Sequence, residues 1–135
     1  MVERFGTSLF GGEVMLINAD CTIFVNGGTP TNVNITDSVQ VTDIYWNDSR
    51  GMTVTQNGAQ VEDAVMVYLY NFAYVPKAGD IIVKGLQSFA FDGTTPATMA
   101  ASVKAFKAAF PDFAVVKNVS DCRYGGLPHI ELTAR

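Results

Sequence analysis

Apolar residues alternate with polar ones along most of this chain, and one stretch alone switches to a helical period. In an extended segment Val65, Val67 and Leu69 point one way, while Met66, Tyr68, Tyr70 and Phe72 point the other. The aliphatic set suits a core; the aromatic set needs a second layer or a neighbouring subunit. Val33 to Trp46 reads as a longer strand region, with Val39, Val41 and Asp43 alternating against Gln40, Thr42 and Ile44. Glu13 to Val25 carries Val14, Leu16, Ile23 and Val25, and its interruption at Asn18-Ala19-Asp20 predicts a bend or bulge between two pairings. Ile81-Ile82-Val83 is a β-branched run that fits a largely buried strand, extending through Phe89 to Phe91. Phe113 to Val119 and Ile130 to Thr133 add two strands. Met52 to Thr55 adds a short one that enters a tight turn at Asn57-Gly58.

Turn chemistry separates these runs. Pro76 fixes φ, Gly79 tolerates positive φ and Asp80 bonds its own backbone two residues on, so the chain turns before Ile81. Asn47-Asp48-Ser49-Arg50-Gly51 closes the strand that ends at Trp46. Asn26 to Asn32 is dense in turn residues and has no apolar anchor, which predicts a flexible surface loop. The helical period lies in Met99, Val103, Phe106 and Phe110, with Thr95 as N-cap, Pro96 at the first helical position and Pro111 as the stop. Lys104 and Lys107 lie toward its C-terminus, where cations favour the helix dipole. These elements predict a single, mainly β domain over residues 1–135. Its architecture is a small mixed β-barrel or sandwich with one α-helix, residues 96–110, packed on an open face or end of the sheet.

Composition narrows the function. Hydrophobic residues make up 48% and charged ones 16% of 135 residues, enough for a sizeable core and few charges for a free-standing surface. That balance points to an interface. A net charge of −4 with scattered Lys and Arg opposes tight nucleic-acid binding and attraction to anionic membranes. Met1 to Gly12 lacks a long apolar region, and no stretch reaches the length that spans a bilayer, so the chain is expected to act in the cytoplasm where it is made.

Candidate chemistry is sparse. His129 is the sole imidazole and shares a strand face with Glu131, a pair able to do acid–base work but lacking an accompanying nucleophile. Cys21 and Cys122 stand far apart, which reads as two small buried thiols, and no local spacing matches a zinc site. Asp43 with Asp48, or Glu62 with Asp63, would need other oxygens beside them to hold calcium. Trp46, Tyr68, Tyr70 and Tyr74 lie among acidic neighbours, which favours core or interface over a stacking platform. No cofactor, metal or catalytic residue is expected.

Four segments carry a resemblance. Asn18-Ala19-Asp20-Cys21-Thr22-Ile23 comes first, followed by Tyr45-Trp46-Asn47-Asp48-Ser49-Arg50-Gly51. Pro76 to Gly85, with its Gly-Asp-Ile-Ile-Val-Lys-Gly centre, precedes Asp121-Cys122-Arg123-Tyr124-Gly125 with His129-Ile130-Glu131-Leu132. In this order the chain resembles a family of small tailed-phage virion proteins of the head–tail joining region. It departs from that pattern in a short run between Gly125 and His129, in Ile130 where an aromatic is usual, and in an Ala-rich helical segment.

The resemblance implies a non-enzymatic head-completion or stopper protein: a β-barrel-like subunit that forms a homo-oligomeric ring in the virion neck. Its expected partners are the portal or adaptor on the head side and the tail terminator or tail tube on the tail side. Phage DNA would pass through without specific binding, and assembly would take place in the host cytoplasm. Gly27, Gly28 and Thr29 are candidates for a gating loop, and Gln56 to Gln60 for a second loop that reaches the lumen or an adjacent ring. Tyr68, Tyr70, Phe72, His129 and Glu131 are candidates for the subunit interface. The alternatives are a tail terminator ring protein, favoured by two helices on one sheet face, and a small β-barrel binding or enzyme domain using His129 and Glu131.

Overall fold

The computed structural model describes residues 6–10, 13–50, 65–124 and 126–135. The order within them is β1 (Gly6–Phe10), β2 (Glu13–Ile17), β3 (Ala19–Asn26), β4 (Ile35–Asp48), β5 (Val65–Leu69), β6 (Ile81–Lys84), α1 (Pro96–Ala109), β7 (Ala114–Cys122) and β8 (His129–Ala134). Strands β1 and β2 form an antiparallel pair. The other strands close a barrel in the order β3-β4-β5-β8-β7-β6, with antiparallel pairing throughout. Between barrel and sandwich, the chain forms the barrel, and closure gives each of its six strands a neighbour on both sides. The segment expected to hold the Met52–Thr55 strand and the Asn57-Gly58 turn lies outside the described residues, as do Glu62 and Asp63.

Alternation fills the barrel. Cys21, Ile23, Val41, Ile44, Trp46, Val65, Val67, Leu69, Ile82, Ala114, Val116, Ile130, Leu132 and Ala134 form one buried cluster. Trp46, only 5% exposed, belongs to this core and to no stacking platform. A second cluster lies outside the β3–β6 wall, where Phe24, Ile81 and Val83 meet Met99, Val103 and Phe106 of α1. These two strands are therefore buried on both faces, which is why Ile81-Ile82-Val83 shows no alternation.

Helix α1 begins and ends where its local chemistry dictates. Thr95 Oγ1 accepts from the Thr98 backbone N–H at 3.1 Å, and Thr98 Oγ1 accepts from the Thr95 N–H at 2.9 Å. This reciprocal pair satisfies two donors that a helix start otherwise leaves orphaned. The Met99-Val103-Phe106 stripe faces the barrel wall as its spacing predicts. Phe106 anchors it, with ring centroids 4.9 Å from Phe24, 5.4 Å from Phe89 and 5.4 Å from Phe91. Phe89 and Phe91 are not strand residues, which corrects the expected extension of that strand. Gly85, at φ 91°, ends β6, and the irregular chain that follows carries both rings onto the helix.

The expected alternation in β4 is broken by a bulge. Ala19 pairs with Ile44 but Cys21 pairs with Val41, so Thr42 and Asp43 together oppose Asp20. Asp43 takes φ 60°, a left-handed conformation that Asp tolerates, and its N–H donates to Asp20 Oδ1 at 3.0 Å. The bulge moves Asp43 outward and brings Ile44 and Trp46 into the core. Asn18 marks the change of partner between β2 and β3. Its side chain accepts from Trp46 N–H at 2.8 Å and donates to Trp46 C=O at 3.0 Å, completing the ladder where the backbone has turned away.

Asp80 joins four segments. Gly79 turns at φ 99°, as expected, but the Asp80 carboxylate does not bond its own backbone two residues on. Completely buried, it accepts from Asn26 N–H at 3.0 Å, Lys77 Nζ at 2.7 Å, Lys77 N–H at 3.1 Å and the Tyr74 hydroxyl at 2.6 Å. Its backbone carbonyl accepts from Val116 N–H at 2.8 Å, tying β6 to β7.

Replacing Asp80 with Ala leaves the buried Asn26 N–H without its acceptor and releases the more exposed Lys77 and Tyr74 donors, and chemical denaturation should show a loss of about 1–3 kcal/mol. Tyr74 gives a second test. Burial, then its hydrogen bond to Asp80 and the Asp80 charge, push the phenol well above its ordinary 10.0. The folded state thus holds this proton more tightly than the unfolded chain, so stability is full below pH 10.0 and falls as pH rises above it. Tyr74→Phe should flatten that alkaline decline in denaturation midpoints measured across pH.

Candidate functional site

The wall of the barrel opposite α1 is built by β4, β5, β8 and β7, and its outer face carries the residues with the most chemistry. Register places them. Tyr45 faces Tyr68 across β4–β5, Tyr68 faces Glu131 across β5–β8, and Cys122 faces His129 across β8–β7. The Tyr68 ring centroid lies 5.3 Å from Tyr45 and 5.0 Å from His129, while Tyr70 lies 6.3 Å from His129. All these side chains are half-buried, a row of amphipathic rings on a sheet face that also exposes Met66.

Electrostatics on this face favour neutral phenols and a neutral thiol. Burial raises the Tyr68 pKa, followed by the charges of Glu131, Tyr45 and Cys122. Burial also raises Tyr70, against a hydrogen bond with the Leu16 backbone. The Cys122 thiol is raised by burial and by its hydrogen bond to Glu131. His129 Nε2 lies 3.1 Å from Glu131 Oε2, and Cys122 Sγ donates to the same oxygen at 3.4 Å. His129 Nδ1 meets the Leu127 carbonyl at 2.9 Å. A cysteine nucleophile needs an adjacent base and a lowered pKa. Here the carboxylate holds the thiol hydrogen, and the shift runs the other way.

Of the expected interface residues, Tyr68, Tyr70, His129 and Glu131 come together. Phe72 does not: it packs against the barrel core, with the Arg123 guanidinium 5.7 Å from its ring centroid. The chain leaves β5 at Leu69, so strand alternation no longer governs where Phe72 points. Cys122 and Tyr45 were the members missed. Cys122 was legible in principle, since the turn-rich Arg123 to Pro128 between two strands makes a hairpin that sets Cys122 opposite His129.

The second candidate region is the Asn26 to Asn32 loop. It lacks an apolar anchor, as expected, but it has a polar one. Asn26 is 1% exposed; its Oδ1 accepts from Gly28 N–H at 2.8 Å and Asn34 N–H at 2.9 Å. Its Nδ2 donates to the carbonyls of Thr29 and Gly79, each at 3.2 Å. Gly28 has to be glycine, because a Cβ there would stand 2.1 Å from the Asn32 carbonyl oxygen. Gly27 and Thr29 complete the exposed turn, with Gly27 N–H donating to Asn34 O at 2.8 Å and Thr29 N–H to Asn32 O at 3.1 Å. Between this loop and the start of α1 lies a cleft of about 660 Å³, whose lining includes Pro30, Asn32, Thr95, Pro96 and Lys107. Its lining has no carboxylate, imidazole or thiol. The Gln56 to Gln60 loop lies outside the described residues.

Asp43 and Asp48 do not form a joint cation site. Asp48 is engaged by Arg50 at 2.8 Å, whose hydrogen bond holds its carboxyl below the usual range, and Asp43 occupies the bulge. No helix among the described residues is long and apolar enough to cross a membrane.

The two thiols should behave differently. Cys21 sits at zero exposure inside the barrel, where burial and then Asp20 push its thiol up to about 12. In EDTA-containing buffer, a thiol reagent should modify Cys122 in the native protein and reach Cys21 only after denaturation. Mass mapping of the labelled peptides checks the assignment.

No curated protein and no solved structure matches the chain. One family model does, covering residues 16–135 and so all of the barrel and α1. The chain therefore belongs to DUF6751, a family of unknown function.

Proposed function

We propose that this chain is a structural, non-enzymatic subunit of a tailed-phage virion, a head–tail connector of the head-completion or stopper type that assembles with copies of itself into a ring. The observation that carries the reading is the division of the barrel surface. The β3–β6 wall is covered by the chain's own helix, whereas the opposite wall presents Tyr45, Tyr68, Tyr70 and His129 half-exposed. Half-buried tyrosines on a rigid sheet are well suited to a protein neighbour, since they bury much area with little entropy loss. A net charge of −4 suits a channel that DNA crosses without sticking. The four-segment resemblance implies a β-barrel-like subunit, with which the small closed barrel agrees.

In this reading the Gly27-Gly28-Thr29 turn reaches the lumen, and gating consists of a shift between two arrangements of that loop. Asn26 sets the energetic scale, because the loop can move as a unit only if its buried amide stays paired. A tail terminator is the weaker alternative: two helices on one sheet face would favour it, and the described residues hold one helix on the outer wall.

Electron microscopy of lysates from a phage lacking this gene tests the proposal. The expected result is emptied heads beside free tails of normal length. Filled, sealed heads with tails of abnormal length would instead select the terminator, and normal virions would overturn both.

A further inference from the structure

We propose that Cys122 Sγ, His129 Nε2 and Glu131 Oε2 form a binding site for a borderline-soft divalent cation, zinc above all, on the outer face of the β7–β8 ladder. The three ligand atoms lie within 4.8 Å of one another. Tetrahedral zinc, with bonds of about 2.0–2.3 Å, sets neighbouring ligand atoms roughly 3.3–3.6 Å apart. The His129–Glu131 separation is 3.1 Å and the Cys122–Glu131 separation 3.4 Å, each within a few tenths of an ångström of that spacing, while Cys122 and His129 lie within 4.8 Å of one another and close on the ion by side-chain rotation.

The ladder explains why these groups converge. Cys122 and His129 are direct cross-strand partners, and Glu131 lies two residues along β8 on the same face. Strands hold ligands more rigidly than loops do. The imidazole is also oriented as a metal ligand. Its Nδ1 meets the Leu127 carbonyl, which can only accept, so Nδ1 carries the hydrogen and Nε2 faces Glu131. That outer partner is the usual device for fixing the tautomer of a metal-bound histidine. With Nε2 unprotonated, its lone pair is directed at the carboxylate oxygen, and a divalent cation between them, with Cys122 giving up its proton to bind as thiolate, bonds all three groups.

The donor set selects the metal. One sulfur, one nitrogen and one oxygen suit zinc, whereas calcium and magnesium require a shell of oxygens. The side chains of His129 and Glu131 are 19% and 35% exposed, so the fourth position opens to solvent and takes water. Tyr68 and Tyr70 wall the site on the β5 side. The proposal is independent of the ring assembly proposed above.

The test uses the full-length protein, stripped with EDTA and titrated with zinc against a chromophoric chelator at neutral pH, then with cobalt as a spectroscopic probe. The expected result is uptake of a single zinc per chain and a cobalt spectrum with a thiolate-to-metal charge-transfer band. Cys122→Ser should abolish that band, and His129→Ala should weaken zinc binding by at least about tenfold. Cys21→Ala should leave both unchanged. Zinc should also shield Cys122 from a thiol reagent in the wild-type protein, a readout that does not depend on how the variants fold. No zinc uptake, a cobalt spectrum without the thiolate band, or Cys122 labelled equally fast with and without zinc would overturn the proposal.

Discussion

A completely buried carboxylate holds this barrel together. Taking Asp80 out of water costs several kcal/mol, and the fold must return that through hydrogen bonds. It does so with four donors, from Asn26, Tyr74 and two groups of Lys77, and each bond to a charged acceptor contributes about 1.5–3 kcal/mol. Because the donors come from the end of β3 and from the turn before β6, the network fixes where two distant segments meet. It also fixes the loop beyond β3. Asn26 donates its backbone N–H to Asp80 and uses its side chain to shape the Gly27-Gly28-Thr29 turn. The candidate gate is thus anchored to the same carboxylate that closes the barrel.

The elements legible in the sequence were those governed by local rules. Thr95, Pro96 and Pro111 bracket α1, and the Met99-Val103-Phe106 stripe gives its buried face. Val65, Val67 and Leu69 gave the inner face of β5 by alternation. What could not be read depends on partners far along the chain. The bulge at Asp43 follows from pairing with Asp20, and only once it is placed does Ile44 belong to the core. Phe89 and Phe91 look like strand residues because aromatics favour strands. The helix that claims them lies later in the sequence, and burial against Phe106 outweighs that preference.

The candidate site was half legible for the same reason. His129 and Glu131 are two residues apart on one strand, so local alternation sets them side by side. Cys122 joins them only through the β7–β8 register, and Tyr45 only through β4–β5. The loop misled in another way. Its lack of an apolar anchor was visible, but the polar anchor is a single asparagine whose partners, Gly79 and Asp80, lie more than fifty residues away.

The closed order of the barrel bears on both proposals. In a ring of six strands, the β5–β8 pair stands opposite the β3–β6 pair. Covering β3–β6 with α1 therefore leaves the tyrosine and histidine wall as far from the helix as the fold allows. The two walls have been given different chemistry. Against α1 the contacts are phenylalanine and aliphatic, suited to permanent burial within one chain. On the far wall each large ring carries a hydroxyl or imidazole nitrogen, which tolerates water when the surface is free and forms hydrogen bonds when it is covered. A cation held by Cys122, His129 and Glu131, its charge offset by the thiolate and the carboxylate, would add a rigid point to that wall with one coordination position unfilled by this chain. Such a wall can exist exposed on a subunit before assembly and still be specific once a neighbour arrives.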